Sequence, residues 1–149
     1  MYKFCLTHKY NSKLEKINYT NVGMGNSNFP SNWLRDNTGE NISDKNKYYD
    51  MYSFHYWLWK NYLDKIKENE WICFSNYRRF WLSNLPFQET DHLKNKIIQT
   101  PPKDWNGFDT ILTEPTDLSK IKISKLFKKG KKILVKNPSL IFRPKKRNI

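Results

Sequence analysis

The sequence predicts an α/β domain: a mostly parallel sheet with flanking helices. Three observations predict it. Strand-length apolar runs stand at residues 2–7 and 71–74, and a helical pattern over 48–66 separates them. The run Trp71-Ile72-Cys73-Phe74 is continuously apolar, as a strand covered on both faces requires. Six Trp, nine Tyr and nine Phe in 149 residues are too many rings for a wholly disordered chain, and the length supports one domain with a core.

Tyr2-Lys3-Phe4-Cys5-Leu6-Thr7 is the first strand, rich in strand formers and closed by His8 and Lys9. Residues 10–46 are polar, carry Gly23, Gly25, Pro30 and Gly39, and show no periodic segment, which predicts one long irregular region. The embedded Val22, Phe29, Trp33 and Leu34 make it a packed loop. Over 48–66, Tyr52, Tyr56, Trp59, Leu63 and Ile66 recur at spacings of three and four. Tyr48, Met51, His55, Leu58 and Tyr62 form a second set beside them. Apolar residues on more than half the circumference predict a largely buried helix, with Tyr56 and Trp59 in the core and Ser43 or Asn46 as its cap. After the strand at 71–74, residues 75–90 form a loop and 91–99 a short helix stopped by Pro101 and Pro102. A strand at 108–113, a helix at 121–127 and a weak strand at 133–135 complete the reading.

The net charge of +13 is uneven. Residues 1–117 hold 15 Lys and Arg against 14 Asp and Glu, whereas residues 118–149 hold 12 Lys and Arg and no acid. The expected division is therefore an α/β body over 1–117 and a basic segment over 118–149 that continues the same domain. Such a block suits nucleic acid, anionic lipid or another polyanion, or reflects a chain rich in Lys, Asn, Ile and Tyr.

Several classes are excluded. No apolar run reaches the roughly 18 residues of a membrane-spanning helix, and the first residues lack the apolar stretch of a secretory signal. Cys5 and Cys73 are too few for a disulfide framework or a zinc site and are expected reduced, in the core of a cytosolic protein. There is no G-x-G-x-x-G, no P-loop, no G-x-S-x-G and no D-x-D, and the three histidines lack metal spacing.

Two polar segments remain. One is Asp36-Asn37-Thr38-Gly39-Glu40-Asn41-Ile42-Ser43, followed by Lys45 and Asn46, a small-polar loop entering a helix whose N-terminus favours anions. The other is Asn76-Tyr77-Arg78-Arg79-Phe80-Trp81, directly after the second apolar strand. Ligands of open α/β sheets gather at the carboxyl ends of strands, and the guanidinium fork matches phosphate oxygens. Together the segments could hold a phosphorylated ligand, or the Arg pair could bond carboxylates and only fix the fold.

These segments, with Tyr56-Trp57-Leu58-Trp59-Lys60-Asn61 and the Thr7-His8-Lys9 opening, resemble the family called domain of unknown function 4422. Its members are associated with bacterial capsular and exopolysaccharide synthesis and are taken as glycosyltransferases of the GT-A type. The resemblance runs from Thr7 to about Pro115. It implies a Rossmann-like, GT-A type nucleotide-sugar-binding half that transfers sugar from a nucleoside-diphosphate sugar to a glycan acceptor. Thr7 and His8 would lie near the nucleotide. Asp36, Asn41, Ser43 and Asn46 would bond sugar or ribose hydroxyls. Asn76, Tyr77, Arg78 and Arg79 would serve the diphosphate side. One Arg is expected on the diphosphate, with the other bracing the 36–43 loop through Asp36 or Glu40.

The chain departs from the family pattern in three ways. Met51 stands where the family commonly has Glu, and Asn76 where it commonly has His, so no general base can be named. Members usually continue for another hundred residues or so, so the chain reads as an N-terminal portion or a reduced member. GT-A enzymes often use a D-x-D-bound divalent metal to meet the leaving diphosphate, and no other cofactor is expected. Without that motif Arg78 and Arg79 are the substitutes. The expected location is the cytoplasm, at the inner face of the membrane if the basic tail touches anionic lipid. The competing readings are a nucleic-acid or polyanion-binding module using the tail and an inactive transferase fragment; no specific nucleic acid is expected as partner.

Overall fold

A computed structural model describes residues 1–83, 86, 92–115, 130, 131 and 135. The chain divides into two compact units, Met1–Phe108 and Asp109–Ile149.

The first unit is an α/β layer structure. Its strands are β1 (Tyr2–Thr7), β2 (Thr20–Gly23), β3 (Leu34–Arg35) and β4 (Ile72–Asn76), and all pairs are parallel in the order β3-β2-β1-β4. β1 is the inner strand: Phe4 faces Thr20 of β2 on one side and Phe74 of β4 on the other. Its alternating side chains feed two cores. Phe4 and Leu6 join Val22, Met24, Phe54, Trp57 and Leu58 on one face, while Cys5 joins Leu14, Tyr19, Trp33 and Ile97 on the other. Burial on both faces is why β1 carries Phe4, Cys5 and Leu6 in succession. A fully buried ring such as Phe4 or Phe54 contributes roughly 1.5–3 kcal/mol.

The connections cover opposite faces. The β1–β2 crossover carries Leu14 and Tyr19 onto one face, and the β3–β4 crossover brings α1 (Asn46–Tyr49) and α2 (Tyr52–Asn61), of which α2 packs on the other. The chain moves outward from β1 through β2 to β3 and then returns to β1's far side as β4. Strand order therefore reverses between β1 and β4, at the sheet's carboxyl edge.

Residues 10–46 are not one irregular region: they contain β2, β3 and a 3-10 turn at Ser12–Lys16. The helix expected over 48–66 is broken. Asp50 has φ 49° and ψ −124°, which ends α1, and α2 stops at Asn61 before a 3-10 turn at Leu63–Lys65. Neither Ser43 nor Asn46 caps it, since the residue before α2 is Met51, whose side chain makes no cap bond. The face is also corrected. Phe54, Trp57 and Leu58 are buried with Ser53, whereas Tyr52 and Trp59 are 67% and 58% exposed. Among the described residues β4 lies at the sheet edge rather than its centre. Trp81 Nε1 covers that edge by donating to the Phe74 carbonyl at 2.9 Å. Of the expected 91–99 helix one turn forms, α3 (Leu93–Lys96).

In the second unit residues 109–115 form no strand, so the strand expected at 108–113 is absent. Gly130, Lys131 and Val135 are helical, which corrects the strand expected through Val135. The helix expected at 121–127 lies outside the described residues. Among those residues no helix is long and apolar enough to cross a membrane.

Candidate functional site

The strands all end at one edge, so the residues that follow them meet there. Beyond β1 and β4 lies an open cleft of about 530 Å3, lined by Thr7, His8, Lys9, Tyr10, Asn11, Ser12 and Tyr77. It sits where strand order reverses, the position at which open α/β sheets bind ligands. Thr7 itself is buried. Its Oγ1 accepts from Lys9 N–H at 3.2 Å and donates to the Lys9 carbonyl at 2.7 Å, which turns the chain and sets out His8.

The second wall comes from a tight turn after β4. Asn76 and Arg79 exchange backbone hydrogen bonds, and Asn76 Oδ1 accepts from Arg78 N–H at 3.0 Å. Asn76 thus shapes the turn that carries Tyr77 into the cleft. Arg78 and Arg79 are exposed, and the Arg78 guanidinium lies 5.0 Å from the Tyr77 ring centroid. Neither Arg makes an ion pair among the described residues, so the expected brace to Asp36 or Glu40 does not form. A turn, rather than extended backbone, governs where the two side chains go.

Glu40 is held elsewhere: Tyr56 Oη donates to it at 2.6 Å, and Lys60 Nζ lies at 3.3 Å. The Tyr56 hydrogen bond, aided by Lys60, lowers the Glu40 carboxyl below its ordinary range.

Asp36 is fully buried, which excludes it as an open sugar ligand. Its carboxylate accepts from Ser53 Oγ at 2.6 Å, Gly25 N–H at 3.0 Å and Asn46 Nδ2 at 3.3 Å. A buried carboxylate needs this many donors. Asn46 Nδ2 lies within hydrogen-bonding distance of the Asp50 carbonyl and Ser53 Oγ as well. Asn41 and Ser43 bond to each other, with Asn41 Oδ1 accepting from Ser43 Oγ at 2.8 Å and Ser43 N–H at 3.1 Å, and do not line the cleft. The helix after this loop, α1, has only four residues, too short to act as the anion-binding terminus expected.

The structure therefore brings Thr7, His8 and Tyr77 together, sets Asn76, Arg78 and Arg79 in the adjoining turn, and places Asp36 and Asn46 in a supporting network. Sequence reasoning missed Lys9 to Ser12 and Asp50. The position of residues 9–12 just after β1 could have found the former. Asp50 Oδ1 lies 2.7 Å from His8 Nε2, a contact that depends on its unusual backbone angles.

Among the described residues no three His, Cys, Asp or Glu side chains gather to hold a metal ion. At the cleft only His8 and Asp50 pair, so these residues do not fit the divalent centre that the resemblance admits.

The family model described as Domain of unknown function (DUF4422) matches residues 4–141. No curated protein and no solved structure matches the chain.

Proposed function

The chain belongs to the DUF4422 family, and on that footing we propose that it is a glycosyltransferase-like protein that binds a nucleoside-diphosphate sugar and passes the sugar to a glycan acceptor. The observation that carries this reading is the cleft at the strand-order reversal between β1 and β4. Tyr77 offers a ring face to a base or sugar, while Lys9, Arg78 and Arg79 offer cations to a diphosphate. Charge developing on the departing diphosphate would meet those cations, the role a metal plays in many transferases. The activity belongs to capsular or exopolysaccharide synthesis by resemblance alone. Residues 118–149, with 12 Lys and Arg and no acid, would hold the protein against an anionic cytoplasmic membrane surface near such an acceptor.

Calorimetric titration with UDP, GDP, dTDP and CDP tests the reading. One of them should bind in the micromolar range and its monophosphate at least tenfold more weakly. Failure of all four to bind at millimolar concentration refutes it.

A further inference from the structure

We propose that His8 and Asp50 form a proton-accepting pair at the cleft, in which Asp50 is the positioning residue and His8 the base that takes a proton from an acceptor hydroxyl. This rests on the transferase reading above. Asp50 Oδ1 lies 2.7 Å from His8 Nε2, and the two side chains are 74% and 46% exposed. An ionised carboxylate only accepts, so neutral His8 must carry its proton on Nε2. Nδ1 then has a free lone pair and no partner among the described residues, on a side chain that lines the cleft.

The backbone supports a functional role for Asp50. Its φ of 49° with ψ of −124° is a conformation that suits glycine, and a residue with a Cβ is strained there. The strain is held by a built network: the Asp50 carbonyl accepts from Asn46 Nδ2 at 3.1 Å, and Asn46 Nδ2 in turn lies 3.3 Å from the Asp36 carboxylate, which takes the Ser53 hydroxyl proton. A surface turn without a task for its side chain would be relaxed by glycine. Here the strained residue aims a carboxylate at the one imidazole of the cleft. The other groups around His8 are Lys9 and Tyr10 from its own loop and Tyr77 from the turn after β4.

In the reaction the acceptor hydroxyl loses its proton to His8 Nδ1. Its oxygen forms the new bond to the anomeric carbon. The bond from that carbon to the diphosphate oxygen breaks, and its electron pair leaves with the nucleoside diphosphate. Asp50 stabilises the imidazolium that results.

The test compares the parent chain with Asp50→Gly and Asp50→Asn. Nitrogen-15 NMR reads the His8 tautomer, calorimetry reads UDP and GDP affinity, and nucleoside-diphosphate release from UDP-glucose and GDP-mannose reads turnover between pH 5 and 9. The parent should show the Nε2–H tautomer. Asp50→Gly should release His8 from the fixed Nε2–H tautomer, keep or raise the melting midpoint, leave diphosphate affinity within twofold and cut turnover roughly a hundredfold. Asp50→Asn should shift the tautomer toward Nδ1–H, because its amide can donate to Nε2. A parent in the Nδ1–H tautomer, a variant with parental turnover, or a parent that binds diphosphate yet turns over neither donor overturns the proposal. A lower melting midpoint in Asp50→Gly with an unchanged His8 tautomer also overturns it and makes Asp50 structural. Failure of the parent to bind any of UDP, GDP, dTDP and CDP refutes the transferase reading, while the tautomer still decides the pair.

Discussion

Trp57 stacks on Phe54 with ring centroids 5.5 Å apart and planes inclined by 19°, and its Nε1 donates to the Thr38 carbonyl at 2.8 Å. It thereby joins α2 to the loop before it. Trp57→Ala should destabilise the fold by about 3–5 kcal/mol, as large aromatic truncations do. Trp59→Ala removes an exposed ring that contacts Tyr56 and Lys60, and should cost less than about 1 kcal/mol. Urea denaturation of both variants checks this, and equal losses would contradict the placement of α2.

His55 predicts a pH effect. Its ring stacks on Phe74 at 4.0 Å, its Nε2 is buried without a partner, and burial lowers its pKa below the ordinary histidine value. The unfolded chain, titrating near pH 6.5, therefore takes up the proton first. This contribution is fully present above about pH 6.5 and is lost as pH falls through the lowered folded-state value. His55→Phe keeps the stacking and should flatten the urea midpoint between pH 7.5 and 5.

Asp36→Ala should cost about 2–4 kcal/mol, because it strands the Ser53, Asn46 and Gly25 donors at once. Ser53→Ala, which removes one donor, should cost about 1–2 kcal/mol. Thermal unfolding of the two variants reads the difference, and a neutral Asp36→Ala would remove the network as a support.

Arg78→Ala and Arg79→Ala should each leave the fold intact, since both side chains are exposed and make no ion pair among the described residues. If the turn serves a diphosphate, at least one variant should lose about ten- to a hundredfold in affinity, the size of a charge-assisted contact of roughly 1.5–3 kcal/mol. Lysine at that position should restore part of it, because it lacks the fork. Calorimetry with the diphosphate that binds the parent measures this; parental affinity in both Ala variants would reduce the pair to surface charge.

Cys5 and Cys73 are buried, and burial pushes the Cys5 thiol up to about 12 and raises that of Cys73. Both should resist thiol reagents at pH 8 in the folded state and react fully in denaturant. Rapid labelling of the native protein would contradict the packing around β1.

The legible parts of the fold were those where composition and environment agree. β1 and β4 stood out because Phe4, Cys5, Leu6 and Cys73 lie in packed layers. β2 was hidden: Thr20 and Asn21 look like loop residues, and the polar Asn21 is accommodated because its Nδ2 donates to the Leu14 carbonyl. The α2 face could not be chosen by periodicity, because rings occur all around it. The buried side is set by Phe54 and by Ser53, a small polar residue that satisfies Asp36. At the site, chain order placed Thr7, His8 and Tyr77 correctly at strand ends. Asp36 misled because a carboxylate in a polar loop gives no sign that backbone and side-chain donors will enclose it. Asp50 was invisible, because its approach to His8 follows from one backbone angle.

β1 also has a consequence for how the chain acquires its shape. Tyr2 pairs with Ile72 and Leu6 with Asn76, while the nearer partner β2 begins only at Thr20. Within this sheet β1 leaves the ribosome before both of its partners, and its β4-facing ladder has no complete native partner until residue 76 has emerged. Such non-local pairing slows folding and leaves an apolar strand open to mispairing during synthesis. The segment most buried at the end is the one most in need of protection at the beginning.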